Sequence, residues 1–413
     1  MRRLLSITKV ILVHPGMFGL LAANVAFGMA ISFVVPYMSM WGTQHVKMSP
    51  VMFGWFMTLT SLSSIVLSTV MARLSDTKVM RRTMLIWGSL GGIIGYVGYA
   101  FLEQAWALTL VGCAALGLSA VNFSQLFAHL REELDRPENA HLDGPLLMSV
   151  LRVSFSLAWT IGPAIGAYVM SGYGYRGIFL GAATLFVVFL VGVLRYVPAR
   201  PHPPHAQAAN RESILRVLVR PAIWVSAVAF IAVFAAHSIN LMNLPLMVTD
   251  QLGGNEKDVG IIFGIAPFAE MPLMLWTGQL AARGKTMGLL RIGGVATIAY
   301  FACLIFVHAP WHIYPIQILS AVSIAILTNI TIVFFQDLLP GQPGVATSLF
   351  TNTFNAGNLL GYFIFGNLLP VIGHRGLYVL CAGLSVFTTL VLVFYRVKLQ
   401  PSARANVPAA VHV

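Results

Sequence analysis

Twelve apolar stretches, each long enough to cross a bilayer, fill most of this chain. A spanning helix needs about 20 predominantly apolar residues. The stretches fall near 15–40, 50–72, 83–102, 106–128, 147–170, 177–196, 221–247, 257–281, 288–308, 312–336, 346–371 and 377–397. They are continuous rather than alternating every second residue, so helices are expected instead of a β-barrel, with every backbone group bonded within its own segment. Charged residues make up only 9% against 58% hydrophobic, too few to cover a water-soluble surface of ordinary size. The expected fold class is all-α integral membrane, with twelve transmembrane helices.

A repeat lies across this pattern. Gly54 opens a span running to Ala72, and 206 residues later Gly260 opens one running to Gly278. Where the first copy carries Ser64, the second carries Glu270. The longest polar interruption, 197–220, holds Pro198, Pro201, His202, Pro203, Pro204 and His205 before a basic stretch from Arg211 to Arg220. It divides the chain into a six-helix half (1–196), a cytoplasmic linker (197–220) and a second six-helix half (221–413). The Pro-rich part is expected to be extended and the basic part to lie at the lipid headgroups. His202 and His205 lack the further ligands a metal site needs. Two related six-helix halves are the pattern of parallel-repeat transporters, with a site near the bilayer midplane.

The net charge of +12 invites a nucleic-acid reading, but the basic residues form no single patch. They sort by side. Of the 25 Lys and Arg, all but Lys47, Arg176, Lys257, Arg375 and Arg152 fall in segments that lie together if the N-terminus is inside. That asymmetry predicts both termini in the cytoplasm. The first stretch is too long for a cleavable signal and should remain as span 1. Cys113, Cys303 and Cys381 fall in three different spans without metal-ligand spacing, and packing is their expected role. No metal or cofactor is expected.

The segment Ala72-Arg73-Leu74-Ser75-Asp76-Thr77-Lys78-Val79-Met80-Arg81-Arg82 resembles the loop 2–3 signature of the major facilitator superfamily. It lacks the usual glycine in the turn, and its basic pair comes one residue late. Gln125-Leu126-Phe127-Ala128 with Arg131-Glu132, Ser156-Leu157-Ala158-Trp159 with Gly162-Pro163, Asn243-Leu244-Pro245-Leu246 and Glu270-Met271-Pro272 are similar to the sugar efflux transporter family within it. So, most specifically, is the run from Phe335 through Gln336-Asp337 and Pro340-Gly341-Gln342-Pro343-Gly344 to Asn352. The resemblance implies the major facilitator fold and sugar export driven by inward proton movement. It also implies that the loop carrying Asp76, Arg81 and Arg82 docks near the start of span 11, around Gly344 to Ser348, as a cytoplasmic gate. A carboxylate is favoured at a helix N-terminus by ~0.3–1 kcal/mol. Arg131 and Glu132 belong to the same rim.

Glu270 lies near the middle of span 8, where a bare carboxylate is penalised by at least ~2.5–3.5 kcal/mol. A proton stays on such a group until a cavity opens to water, which is what a proton carrier requires; the alternative is a permanently neutral acid bonding a neighbouring helix. Asp337 is the second candidate carrier. Arg152, about a turn and a half into span 5, binds substrate hydroxyls, controls a nearby acid electrostatically, or anchors the inner rim by pairing with Glu132 or Asp337. Gly162-Pro163 followed by Gly166 predicts a kinked, tightly packed helix. A sugar site needs paired donors and acceptors with an aromatic platform. Asn122, Gln125, Trp159, His237, Asn240, Asn243, Asn329, Asn352 and Asn355 are the candidates, with Arg152 beside them. Each also suits a tie between helices, worth ~0.6 kcal/mol on average. His237 reads more readily as a satisfied polar residue than as a proton relay.

The expected function is export of mono- or disaccharides or glycosides by alternating access, with sugar, protons and lipid as partners, no nucleic acid, and a monomeric carrier. A multidrug/proton antiporter is the nearest rival, but span 1 carries Asn24 and none of the acids common there. An uptake carrier on the same fold stays open. An enzyme is not expected, because no nucleophile elbow, paired His or metal signature occurs.

Overall fold

A computed structural model describes residues 15–77, 79–134, 144–199, 220–339 and 342–395. No strand occurs among them. The helices are α1 (Pro15–Ser32, continued by short turns to His45), α2 (Pro50–Thr77), α3 (Arg81–Phe101) and α4 (Ala105–Leu134). Then come Gly144–Tyr196, α7 (Pro221–Asp250), α8 (Glu256–Ala282), α9 (Thr286–Ile305), α10 (Pro310–Leu338) and Pro343–Phe394.

Ten of these stretches are long and apolar enough to cross a membrane. Two are far too long for one crossing, at 53 and 52 residues, since a helix rises only about 1.5 Å per residue. Each is broken by a glycine outside helical geometry, Gly174 (φ 64°) and Gly373 (φ 68°). Only glycine occupies that left-handed region without a Cβ penalty. The arms on either side of Gly174 are α5 and α6, and those on either side of Gly373 are α11 and α12. Both breaks fall in the gaps expected between spans.

Helix starts follow from local chemistry. Pro50, Pro221, Pro310 and Pro343 open four helices, where the ring presets φ and the missing N–H needs no partner. The N-terminus of α8 is a capping box: Asn255 Oδ1 accepts from the Lys257 N–H at 2.9 Å, and Asp258 Oδ2 accepts from the Asn255 N–H at 2.9 Å. The end of α2 departs from expectation. It continues through Asp76 to Thr77 instead of stopping before the acidic residue. Large apolar side chains such as Ile94, Val188, Phe268 and Trp276 stand more than half exposed on helix faces, a pattern suited to lipid contact.

The chain forms two compact units. The first comprises Met1–Met48, Phe56–His205 and Val259–Gly264. Phe27 of α1 meets Phe186 and Phe189 of α6 at ring centroid distances of 5.8 and 5.2 Å. Asn24, fully buried, donates from Nδ2 to the Leu151 carbonyl and to Ser154 Oγ, both at 2.8 Å, tying α1 to α5. Gly162 lets Ser32 lie against α5, where the Ser32 hydroxyl donates to the Ala158 carbonyl at 3.0 Å. Tyr37 donates to the Pro163 carbonyl at 2.6 Å. The Gly-Pro motif thus packs α5 tightly on the α1 region, and Gly260 meets the same Pro163 carbonyl.

The second unit comprises Ser49–Trp55, Ala206–Asp258 and Ile265–Val413. Phe230, Phe234, Leu290, Ile330, Phe334 and Phe335 lie in its core. Here Gly54 sits against Gly366, so close that a Cβ on Gly54 would lie 2.5 Å from the Gly366 Cα. The two glycines that mark the sequence repeat, Gly54 and Gly260, are both points of close backbone approach. The interhelical linker expected at 197–220 lies outside the described residues from 200 to 219.

Candidate functional site

The densest charged cluster in the first unit joins α3 to α4. Arg81, at the start of α3, places Nη2 2.6 Å from Glu132 Oε1, with side chains only 10% and 15% exposed. Its Nη1 donates to Gln125 Oε1 at 2.9 Å. Gln125, expected as a sugar ligand, is therefore engaged with Arg81. Glu132 and Gln125 lie seven residues apart on α4, hence on one helix face. Arg82 points elsewhere and donates to the Leu194 carbonyl at 2.9 Å. Arg131 is exposed. The side chain of Asp76 and residue 78 lie outside the described set.

Deeper in the same unit, Asn122 is fully buried against Gly88, and among the described residues neither of its side-chain amide atoms has a hydrogen-bond partner. A buried amide left open is costly, and Asn122 is the polar group of α4 best placed to gain from a ligand or water. Arg152 is exposed and makes no ion pair among the described residues. Glu132, one of the two anchors expected for Arg152, is paired with Arg81. Trp159 is half-buried.

In the second unit the expected candidates divide. His237 Nε2 lies 3.1 Å from Ser323 Oγ, and Asn240 donates from Nδ2 to the Tyr300 hydroxyl at 3.2 Å. Asn243 donates to the His374 carbonyl at 3.1 Å and pairs through Oδ1 with His374 Nδ1 at 2.7 Å. These side chains tie α7 to α9, α10 and the turn after α11. Asn329 bonds back to the Ala325 carbonyl of its own helix at 2.9 Å. Asn352 is exposed and Asn355 half-buried on α11. Asp337, at the end of α10, is buried and accepts from the Thr286 hydroxyl at 3.2 Å.

Glu270 is half-buried on α8 and makes no hydrogen bond or ion pair among the described residues. Pro267 and Pro272 bracket it, each removing one backbone bond and loosening the helix beside the carboxyl. Its repeat counterpart Ser64 instead donates to the Thr60 carbonyl at 2.9 Å, bound to its own helix. Sequence reasoning missed Asn24, Tyr300 and Thr286 as polar partners. Nothing local distinguishes such residues from other polar groups in spans; their role depends on which helix lies opposite. No cluster of His, Cys, Asp and Glu suited to a metal occurs among the described residues.

Long apolar helices with buried polar ties and a lone carboxyl in a span define a multi-pass membrane carrier. The chain belongs to the Major Facilitator Superfamily, whose family model matches residues 17–355; this is a family of transporters, not enzymes. It is 31% identical over 368 residues to Sugar efflux transporter A of Escherichia coli, covering 87% of this chain and 91% of that protein. It is 30% identical over 348 residues to Sugar efflux transporter A of Dickeya chrysanthemi, covering 84% and 86%. Among solved structures, the nucleoside transporter NupG superposes with a TM-score of 0.74 at 15% identity, covering 93% of this chain and 100% of that one. That likeness concerns the fold.

Proposed function

We propose that this protein is a secondary active transporter that exports sugars across the bacterial inner membrane by alternating access, in exchange for protons. Likeness to sugar efflux transporters at about 30% identity along most of the chain is the observation that carries the substrate class. Sidedness of Lys and Arg supports cytoplasmic termini. Glu270 is the proposed proton carrier, because it is a carboxyl in the middle of a span, lacks a partner among the described residues and sits between two prolines. Asp337 is the second candidate. The proposed sugar ligands are Asn122, Arg152 and Trp159 in the first half and Asn329, Asn352 and Asn355 in the second, with Gln125, His237, Asn240 and Asn243 shaping the site through their ties. Arg81, Glu132, Arg82, Arg131 and Asp76 are the proposed cytoplasmic gate.

The test is a panel of labelled mono- and disaccharides and glycosides with purified protein in liposomes, with and without an imposed pH gradient. Uphill sugar movement driven by the gradient is expected. Movement of cationic drugs with no sugar transported would move the reading to a multidrug antiporter.

A further inference from the structure

At one end of the first unit, three chain reversals line a cavity of about 310 Å³. Trp41 and His45 come from the segment after α1, Tyr99 and Glu103 from the end of α3, and Tyr175 and Arg176 from the residues after the Gly174 break. Trp41 stacks on Tyr99, centroids 4.9 Å apart and planes 25° apart, and both are buried, so they form a rigid floor. His45 and Tyr175 stand at the rim with ring centroids 5.0 Å apart. Arg176 Nη2 and Glu103 Oε1 face each other at 3.9 Å, with side chains 64% and 78% exposed.

The backbone is bent to place these groups. Trp41–His45 is a π-helical turn, and Lys47 just beyond it holds φ at 62°. A π turn is rare and recurs at functional sites, and a non-glycine residue in the left-handed region persists only where its surroundings impose it. The Glu103–Arg176 pair does not account for this by stability. So exposed a pair is worth ~0–1 kcal/mol.

We propose that this cavity is a carbohydrate-binding site separate from the transport site, holding one pyranose ring of a neutral sugar. The proposal rests on the sugar-transport reading for its ligand class. The carboxylate accepts from hydroxyls and the guanidinium donates to them, a set that suits a vicinal diol. Opposite charges side by side cancel, which favours a neutral ligand over an ion. Of the rings, His45 and Tyr175 at the rim are accessible and offer faces for the sugar's C–H groups. The volume sits at the lower end of the ~300–1,000 Å³ of small-ligand pockets, room for a single ring and not a chain of them. By charge sidedness this end faces outward, so released sugar meets the site first.

The test uses full-length protein in nanodiscs and a diazirine-bearing methyl β-glucoside, with the labelled peptides mapped. Labelling of the segments around Glu103 and Tyr175, competed by unlabelled methyl β-glucoside and not by zwitterionic glycine betaine, is expected. Glu103→Gln with Tyr175→Ala should cut that labelling about tenfold, a loss of about 1.4 kcal/mol, while sugar efflux from liposomes continues. Absence of competed labelling here in protein that transports sugar overturns the site and leaves the transport reading intact. Equal competition by glycine betaine overturns the ligand class. If no sugar of the panel is transported, the transport reading falls, and competed labelling of these segments still supports the site.

Discussion

Arg81 and Glu132 form a nearly buried ion pair, Nη2 to Oε1 at 2.6 Å, and Gln125 fills a second guanidinium position at 2.9 Å. Removing one partner strands a charge in a poorly hydrated place, which costs about 3–5 kcal/mol. Glu132→Ala should therefore lower the thermal transition in detergent strongly, and replacing the pair by Met and Leu should recover much of the loss. A single variant as stable as the parent would show that water reaches the pair.

Gly54 and Gly366 touch backbone to backbone, whereas a Cβ on Gly278 would meet nothing within 4 Å among the described residues. Backbone cannot yield as a flexible side chain does, so Gly54→Ala should cost about 1–3 kcal/mol by overpacking. Gly278→Ala should be neutral or slightly stabilising. The comparison is read from thermal unfolding of the two variants side by side; equal transitions would contradict the close approach.

Glu270→Gln tests proton coupling, since glutamine is nearly isosteric with the protonated acid. The variant should fold, bind sugar and exchange sugar for sugar, and lose accumulation driven by a pH gradient. The motivation is the partnerless carboxyl between Pro267 and Pro272. Uphill pumping with unchanged pH dependence would sink the assignment and bring Asp337 forward; loss of binding would make Glu270 a ligand.

Sidedness is testable with single cysteines in a background lacking Cys113, Cys303 and Cys381. Lys257 and Lys285 are both exposed, the first in the opening turn of α8 and the second just past its end. An impermeant thiol reagent added to intact cells should label Lys257→Cys and spare Lys285→Cys. The reverse pattern would invert the orientation drawn from the basic residues.

The spans were legible in the sequence because hydropathy is a local property that lipid reads segment by segment. The breaks between α5 and α6 and between α11 and α12 were placed by the same logic, and the structure puts a left-handed glycine in each gap. The superfamily was legible too, in strings such as the one around Asp337. The internal repeat pointed to Glu270, whose lack of a partner among the described residues only the tertiary structure reveals.

Partner choice was not legible. Gln125 bonds Arg81 across 44 residues, Asp337 bonds Thr286 across 51, and Asn243 bonds His374 across 131. A polar side chain in a span announces that it needs a partner, because lipid supplies none. Which partner it finds depends on how each helix is rotated and which helix packs opposite, and one residue's shift along a helix turns a side chain by about 100°. The residue types of this protein thus determined its helices, its membrane and its family, while the packing of those helices alone decided which polar groups are satisfied and which remain open to a ligand.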